Sequence, residues 1–100
     1  MVKHIIIWKL KDELTAEKRE DVKKGIKENL ESLSGKIEGL LEIKVYTDGL
    51  ASSNADLMLD SSFASADALK FYATHPEHVY VADTFVRPFT ALRSCFDYEI

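Results

Sequence analysis

The residues of this 100-residue chain best equipped for chemistry lie in one short segment, Tyr72-Ala73-Thr74-His75-Pro76-Glu77-His78. Tyr72 falls on the apolar face of a helix, and His78 lies one turn into the next. A bend at His75-Pro76 would turn both polar heads toward the same cavity. A neutral imidazole accepts a proton near neutral pH, and a phenol donates a hydrogen bond to a developing oxyanion. The same residues also admit a structural reading, in which His75 caps the second helix while Tyr72 and His78 satisfy buried carbonyls. His4 interrupts an otherwise apolar strand face; it is either a satisfied core histidine or the floor of that cavity. His75 and His78 have a spacing compatible with metal ligation but not diagnostic of it. The single cysteine, Cys95, excludes an internal disulfide and a multi-cysteine zinc site. With no neighbour in sequence to mark it as a nucleophile, Cys95 reads as a small interior or interface residue. There is no glycine-rich phosphate loop, HExxH, acidic calcium loop or Gly-x-Ser-x-Gly elbow. The expectation is therefore a site without metal or organic cofactor.

The elements that must position these groups follow from periodicity. Val2 to Lys11 reads as a strand, with Val2, His4, Ile6, Trp8 and Leu10 on one face and Lys3, Ile5, Ile7 and Lys9 on the other. Thr15 is the expected N-cap of a helix in which Val22, Ile26, Leu30 and Leu33 form one apolar stripe, with Gly35 at its C-cap. Leu40 to Asp48 predicts a second strand with Leu41, Ile43 and Val45 inward. Asp56 to Phe63 predicts a third, with Leu57, Leu59, Ser61 and Phe63 together. Gly49 to Asn54 makes the polar loop between them, expected to be mobile or to contact a partner. Ser65 caps a short helix carrying Leu69 and Tyr72, which His75-Pro76 breaks. A further helix ends near Arg87-Pro88, and a last strand runs from Phe89 to Ile100. The order β-α-β-β-α-β is the ferredoxin-like pattern of the α+β class, a four-stranded antiparallel sheet with helices on one face. Residues 1–100 read as one domain.

Composition narrows the partners. Thirteen basic against 17 acidic residues leave a net charge of −4, which argues against binding a phosphate backbone. No apolar run approaches the roughly 20 residues of a membrane span, and the Ile5-Ile6-Ile7-Trp8 run is too short for a signal peptide. A cytoplasmic protein with no nucleic-acid or membrane partner is expected. One sheet face, with Ile6, Trp8, Leu41, Ile43, Leu57, Leu59 and Phe96, is apolar enough to pack under the helices. The other mixes Ile5, Ile7, Met58, Tyr46 and Cys95 with Lys44, Asp60, Arg93 and Asp97. A self-complementary, partly wet homodimer interface reconciles these apolar and charged residues.

The chain resembles the stress-responsive dimeric α/β-barrel (Dabb) family. The residues that carry the likeness are Val2-Lys3-His4 with the apolar run and Lys9-x-Lys11, then His75-Pro76-x-His78, Ala82-Asp83 and Phe96-Asp97-Tyr98. The resemblance implies a dimeric α+β barrel in which two four-stranded sheets face each other. It extends to the plant olivetolic acid cyclase, a cofactor-free polyketide cyclase that closes a ring by intramolecular aldol chemistry. By motif, Tyr72 and His78 match that enzyme's catalytic pair and His4 matches a further pocket histidine. The implied pocket comprises His4, Ile6, Trp8, Val22, Ile26, Leu57, Leu59 and His75. Leu57 stands where the cyclase has a histidine, and Val22 and Ile26 replace larger aromatic residues, so the pocket wall differs. Three functions are compatible with the resemblance: binding a small hydrophobic or aromatic molecule in a stress-related role, cyclase-like carbonyl chemistry with His78 as base, and cofactor-independent monooxygenation.

Overall fold

A computed structural model describes residues 1–100. Its elements are β1 (Val2–Leu10), α1 (Ala16–Glu31), β2 (Leu40–Tyr46), β3 (Leu57–Phe63), α2 (Ala66–Thr74), α3 (Pro76–Val81) and β4 (Thr90–Glu99). Between α3 and β4 the chain continues through a wide π-type turn, Ala82–Val86, and a 3₁₀ turn, Arg87–Phe89. The four strands form one antiparallel sheet in the order β2-β3-β1-β4. This is the ferredoxin-like α+β architecture.

The core lies between the sheet and the helices. Alternation along β1 buries Val2, His4, Ile6, Trp8 and Leu10, while Val22, Ile26 and Leu30 of α1 pack onto them. Thr15 caps α1, its hydroxyl accepting from the Lys18 amide at 3.1 Å. The helix ends at Ser32, and Gly35 follows in the next turn with φ 79°, a left-handed backbone that favours glycine. Glu31 then serves the edge strand β2: its carboxylate accepts from the Val45 amide at 2.9 Å, while Lys27 donates to the Val45 carbonyl at 2.8 Å. These two side chains occupy backbone groups that an open sheet edge leaves unpaired.

Two residues expected in the core are outside it. Leu41 is 52% exposed because β2 carries a bulge: Leu40 pairs with Phe63 and Glu42 with Ser62, leaving Leu41 as the extra residue. Leu40 takes the inward position instead. Phe96 is 68% exposed, because register places it opposite Ile5 on the face away from the helices. Conversely Arg93, Cys95 and Asp97 pair with Trp8, Ile6 and His4, so they lie on the helix side rather than the outer side. Facing cross-strand residues share a sheet face, and β1 is fixed by its buried half; β4 inherits its orientation from that pairing. The outer face therefore gathers Ile5, Ile7, Tyr46, Met58, Leu92, Phe96 and Tyr98. Its charges are partly self-satisfied, with Lys3 Nζ 2.5 Å from the Asp60 carboxylate. No helix is long and apolar enough to cross a membrane.

Candidate functional site

The break at His75-Pro76 is built as the sequence requires. His75 ends α2 with extended backbone (ψ 133°), and its Nδ1 accepts from the Glu77 amide at 3.1 Å, capping α3. Its ring packs edge-on against Phe71, 5.5 Å between centroids. His75 is thus committed to the helix junction and does not join Tyr72 and His78. The junction turns α3 back so that the His78 ring lies tilted over Tyr72, with centroids 4.1 Å apart.

Tyr72 is the centre of an aromatic cluster. It is 1% exposed, packs against Phe63 at 4.9 Å, and meets the His4 ring edge-on at 6.3 Å. Its hydroxyl has no hydrogen-bond partner. Burial pushes the phenol far above its ordinary range, against a smaller opposing pull from Arg93, so it is a proton-bearing donor at neutral pH. A buried hydroxyl without a partner is costly, and such groups call for a physical explanation.

His78 is half-buried, and burial pushes its pKa below the ordinary value. Its bond to the Ala73 carbonyl opposes this, while Arg87, His4 and Arg93 reinforce it. The imidazole is therefore neutral near pH 7. A carbonyl can only accept, so the 3.2 Å contact between His78 Nδ1 and Ala73 O puts the proton on Nδ1. The lone pair is left on Nε2. His78 satisfies a carbonyl, as the structural reading expects, and keeps a basic nitrogen as well.

His4 is oriented from the other side. Its Nδ1 is hydrogen-bonded to the Asp97 carboxylate across the β1–β4 pairing, and Cys95 Sγ lies 3.9 Å from the same nitrogen. Asp97 and Cys95 are site neighbours that hydrophobic alternation alone places on the opposite face; the β1–β4 register puts them beside His4. A cavity of about 460 Å³ opens beside the cluster, between α2 and the end of β4, lined in part by Val2, Leu69, Ala73 and Asp97. Tyr72, His78 and His4 do not line it, so the cavity expected to hold all three is closed around the buried Tyr72 ring. The remaining residues of the implied pocket, Ile6, Trp8, Val22, Ile26, Leu57 and Leu59, are packed core side chains beneath the helices. They hold β1, and so His4, in place.

Chemically, the cluster presents a buried phenolic donor, a neutral imidazole with a free lone pair, and a carboxylate-oriented histidine. That combination can bind and polarise an oxygen of a small molecule and accept a proton from it.

Comparison with known proteins places the chain. No curated protein sequence matches it. Among solved structures, a dimeric protein of unknown function with a ferredoxin-like fold from Bacteroides fragilis is 36% identical. The match covers 99% of this chain and 95% of that one, with a TM-score of 0.92. An Arabidopsis thaliana protein, At3g17210, is 26% identical over 100% and 95% of the two chains, with a TM-score of 0.76. A hydroxynitrile lyase from Passiflora edulis shares the fold at 20% identity, with a TM-score of 0.73 over 99% and 92% of the two chains. The model of the stress responsive A/B barrel domain matches residues 2–100. With its sheet, helix junction and aromatic–histidine cluster, the chain belongs to the Dabb, or stress responsive A/B barrel domain, family.

Proposed function

We propose that this protein is a cytoplasmic homodimer that binds a small hydrophobic or aromatic molecule, holding an oxygen of that ligand against Tyr72 and His78. The single observation that carries the reading is the Tyr72 hydroxyl, buried and without a partner. A buried donor that no other group of the chain satisfies costs about 1–3 kcal/mol, and a ligand oxygen accepting from it would relieve that cost. The dimer forms through the outer sheet face. In favour of this are the exposed Ile7, Tyr46, Phe96 and Tyr98 on that face, and the dimeric state of the Bacteroides fragilis relative. An interface of the usual size buries about 1,600 Å² in total.

The test is titration of the protein with a panel of small phenols and ketones, followed by amide and aromatic NMR shifts. Binding should perturb Tyr72, His78 and His4 together. Tyr72→Phe should weaken oxygen-bearing ligands about fivefold or more while leaving hydrocarbon analogues unchanged. Shifts confined to other surfaces would refute the reading.

A second reading, cyclase-like carbonyl chemistry, is favoured by the tautomer of His78, whose basic Nε2 is what a general base requires. His78 would take an acidic proton while Tyr72 stabilises the resulting enolate oxygen, a contribution of roughly 10² to 10⁴ in rate for the base. His78→Ala should then abolish turnover of a bound carbonyl substrate and leave the dimer intact. A change in melting temperature alone would make His78 structural.

A further inference from the structure

We propose that His4, Cys95 and Asp97 form a binding site for a divalent transition metal of the zinc class, with a coordination position left open toward solvent. The inference is independent of the ligand proposed for Tyr72.

The three ligand atoms come from adjacent strands. Cys95 and Asp97, two residues apart on β4, face the helix side, and His4 lies directly across from Asp97 on β1. One ligand atom from each lies within 4.8 Å of the others. Cys95 Sγ is 3.9 Å from His4 Nδ1 and 3.5 Å from the Asp97 carboxylate. A tetrahedral zinc ion with ordinary Zn–S, Zn–N and Zn–O bond lengths sets its sulfur about 3.6 Å from each of the other two ligand atoms. The two sulfur distances thus bracket what a zinc ion requires. The third pair, His4 Nδ1 and the Asp97 carboxylate, is closer because it is hydrogen-bonded. An ion would replace that shared proton and part the two atoms to about 3.4 Å. Asp97 and Cys95 sit on an exposed edge strand, where a side-chain adjustment of this size is easy.

The donor set selects the metal. One thiolate, one imidazole and one carboxylate match zinc or cobalt, whereas magnesium and calcium favour all-oxygen shells. His4 is the rigid member. It is 8% exposed, its backbone carbonyl accepts from Ser61 Oγ at 2.8 Å, and its ring is walled by Phe63 and Tyr72. Exposed Cys95 and Asp97 complete the set from the solvent side, which leaves the fourth position to water.

The experiment is titration of the chelator-treated, full-length protein with cobalt chloride, following the thiolate-to-cobalt charge-transfer absorption, then displacement with zinc chloride. The band should saturate at one cobalt per chain and be lost on adding zinc. Competition with a fluorescent zinc indicator gives a readout that does not need the thiol. By that readout Cys95→Ser and Asp97→Asn should each weaken zinc binding at least about tenfold. Both positions are exposed, so these variants should fold, whereas His4→Asn risks unfolding the core. Tyr72→Phe should bind zinc normally, which separates failure here from failure of the ligand reading. Absence of the band, or zinc affinity unchanged by Asp97→Asn, would overturn the site and leave Cys95 as an ordinary surface thiol.

Discussion

Replacing Tyr72 by Phe should stabilise the ligand-free protein. The ring is 1% exposed, and its contacts with His78 at 4.1 Å and Phe63 at 4.9 Å are made by carbon surfaces that phenylalanine retains. What the substitution removes is one buried hydroxyl that no other group of the chain pairs with. Leaving a buried polar group unsatisfied costs about 1–3 kcal/mol, so deleting it should return a gain of that order. For a domain of this size each kcal/mol moves Tm by about 4–8 °C, so a rise of about 4 °C or more is expected. The assay is thermal unfolding of both proteins without ligand, at matched concentration because a dimer's Tm depends on it. Tyrosine kept at a cost to stability is the signature of a group retained for binding. A fall in Tm of similar size would mean that the hydroxyl is satisfied in the native protein, and the reasoning would fail.

Other perturbations reach the rest of the structure. Ile7→Asp puts a charge in the centre of the outer sheet face and should weaken self-association at least about tenfold by light scattering, because it is left unpaired on desolvation. Glu31→Ala strips the partner from the buried Val45 amide and should cost about 1–3 kcal/mol in urea unfolding. Burial holds the His78 pKa below its ordinary 6.5, so just below that pH the unfolded chain binds more protons and stability falls as pH drops. A His78→Asn variant should lose that part of the pH dependence of Tm. Hydrogen exchange in the Gly49 to Asn54 loop should be faster than in β2 and β3; the reverse would contradict its reading as a weakly anchored loop.

Much of the fold is legible in the sequence because buried alternation and helical stripes are strong local signals. Val2 through Leu10, with His4 the one polar member of the inward set, and the Val22, Ile26, Leu30, Leu33 stripe carry them, and Pro76 marks the helix junction directly. β4 is different. As an edge strand exposed along both faces, it alternates without burial to say which set points inward. Grouping by hydrophobicity then puts Phe96 in the core, when its apolar surface belongs to the outer face. The bulge at Leu41 has the same origin, since a two-residue period cannot register an inserted residue. These parity errors also hide the partners of His4. Asp97 is 93 residues away, and its bond to His4 exists only through the β1–β4 register. One signal could have found it: a lone histidine on an apolar strand needs a polar partner, and the antiparallel terminal strands bring the Asp97 carboxylate opposite it. Tyr72 and His78, close in sequence and separated by a proline, need no long-range register to meet.

The most direct measurement is a crystal structure of the protein soaked with the tightest-binding phenol or ketone from the titration panel. The expected result is a ligand oxygen within hydrogen-bond reach of the Tyr72 hydroxyl, about 2.7 Å away, and beside the His78 ring. A ligand bound elsewhere, with the Tyr72 hydroxyl still unpaired, would contradict the assignment of this cluster as the binding site.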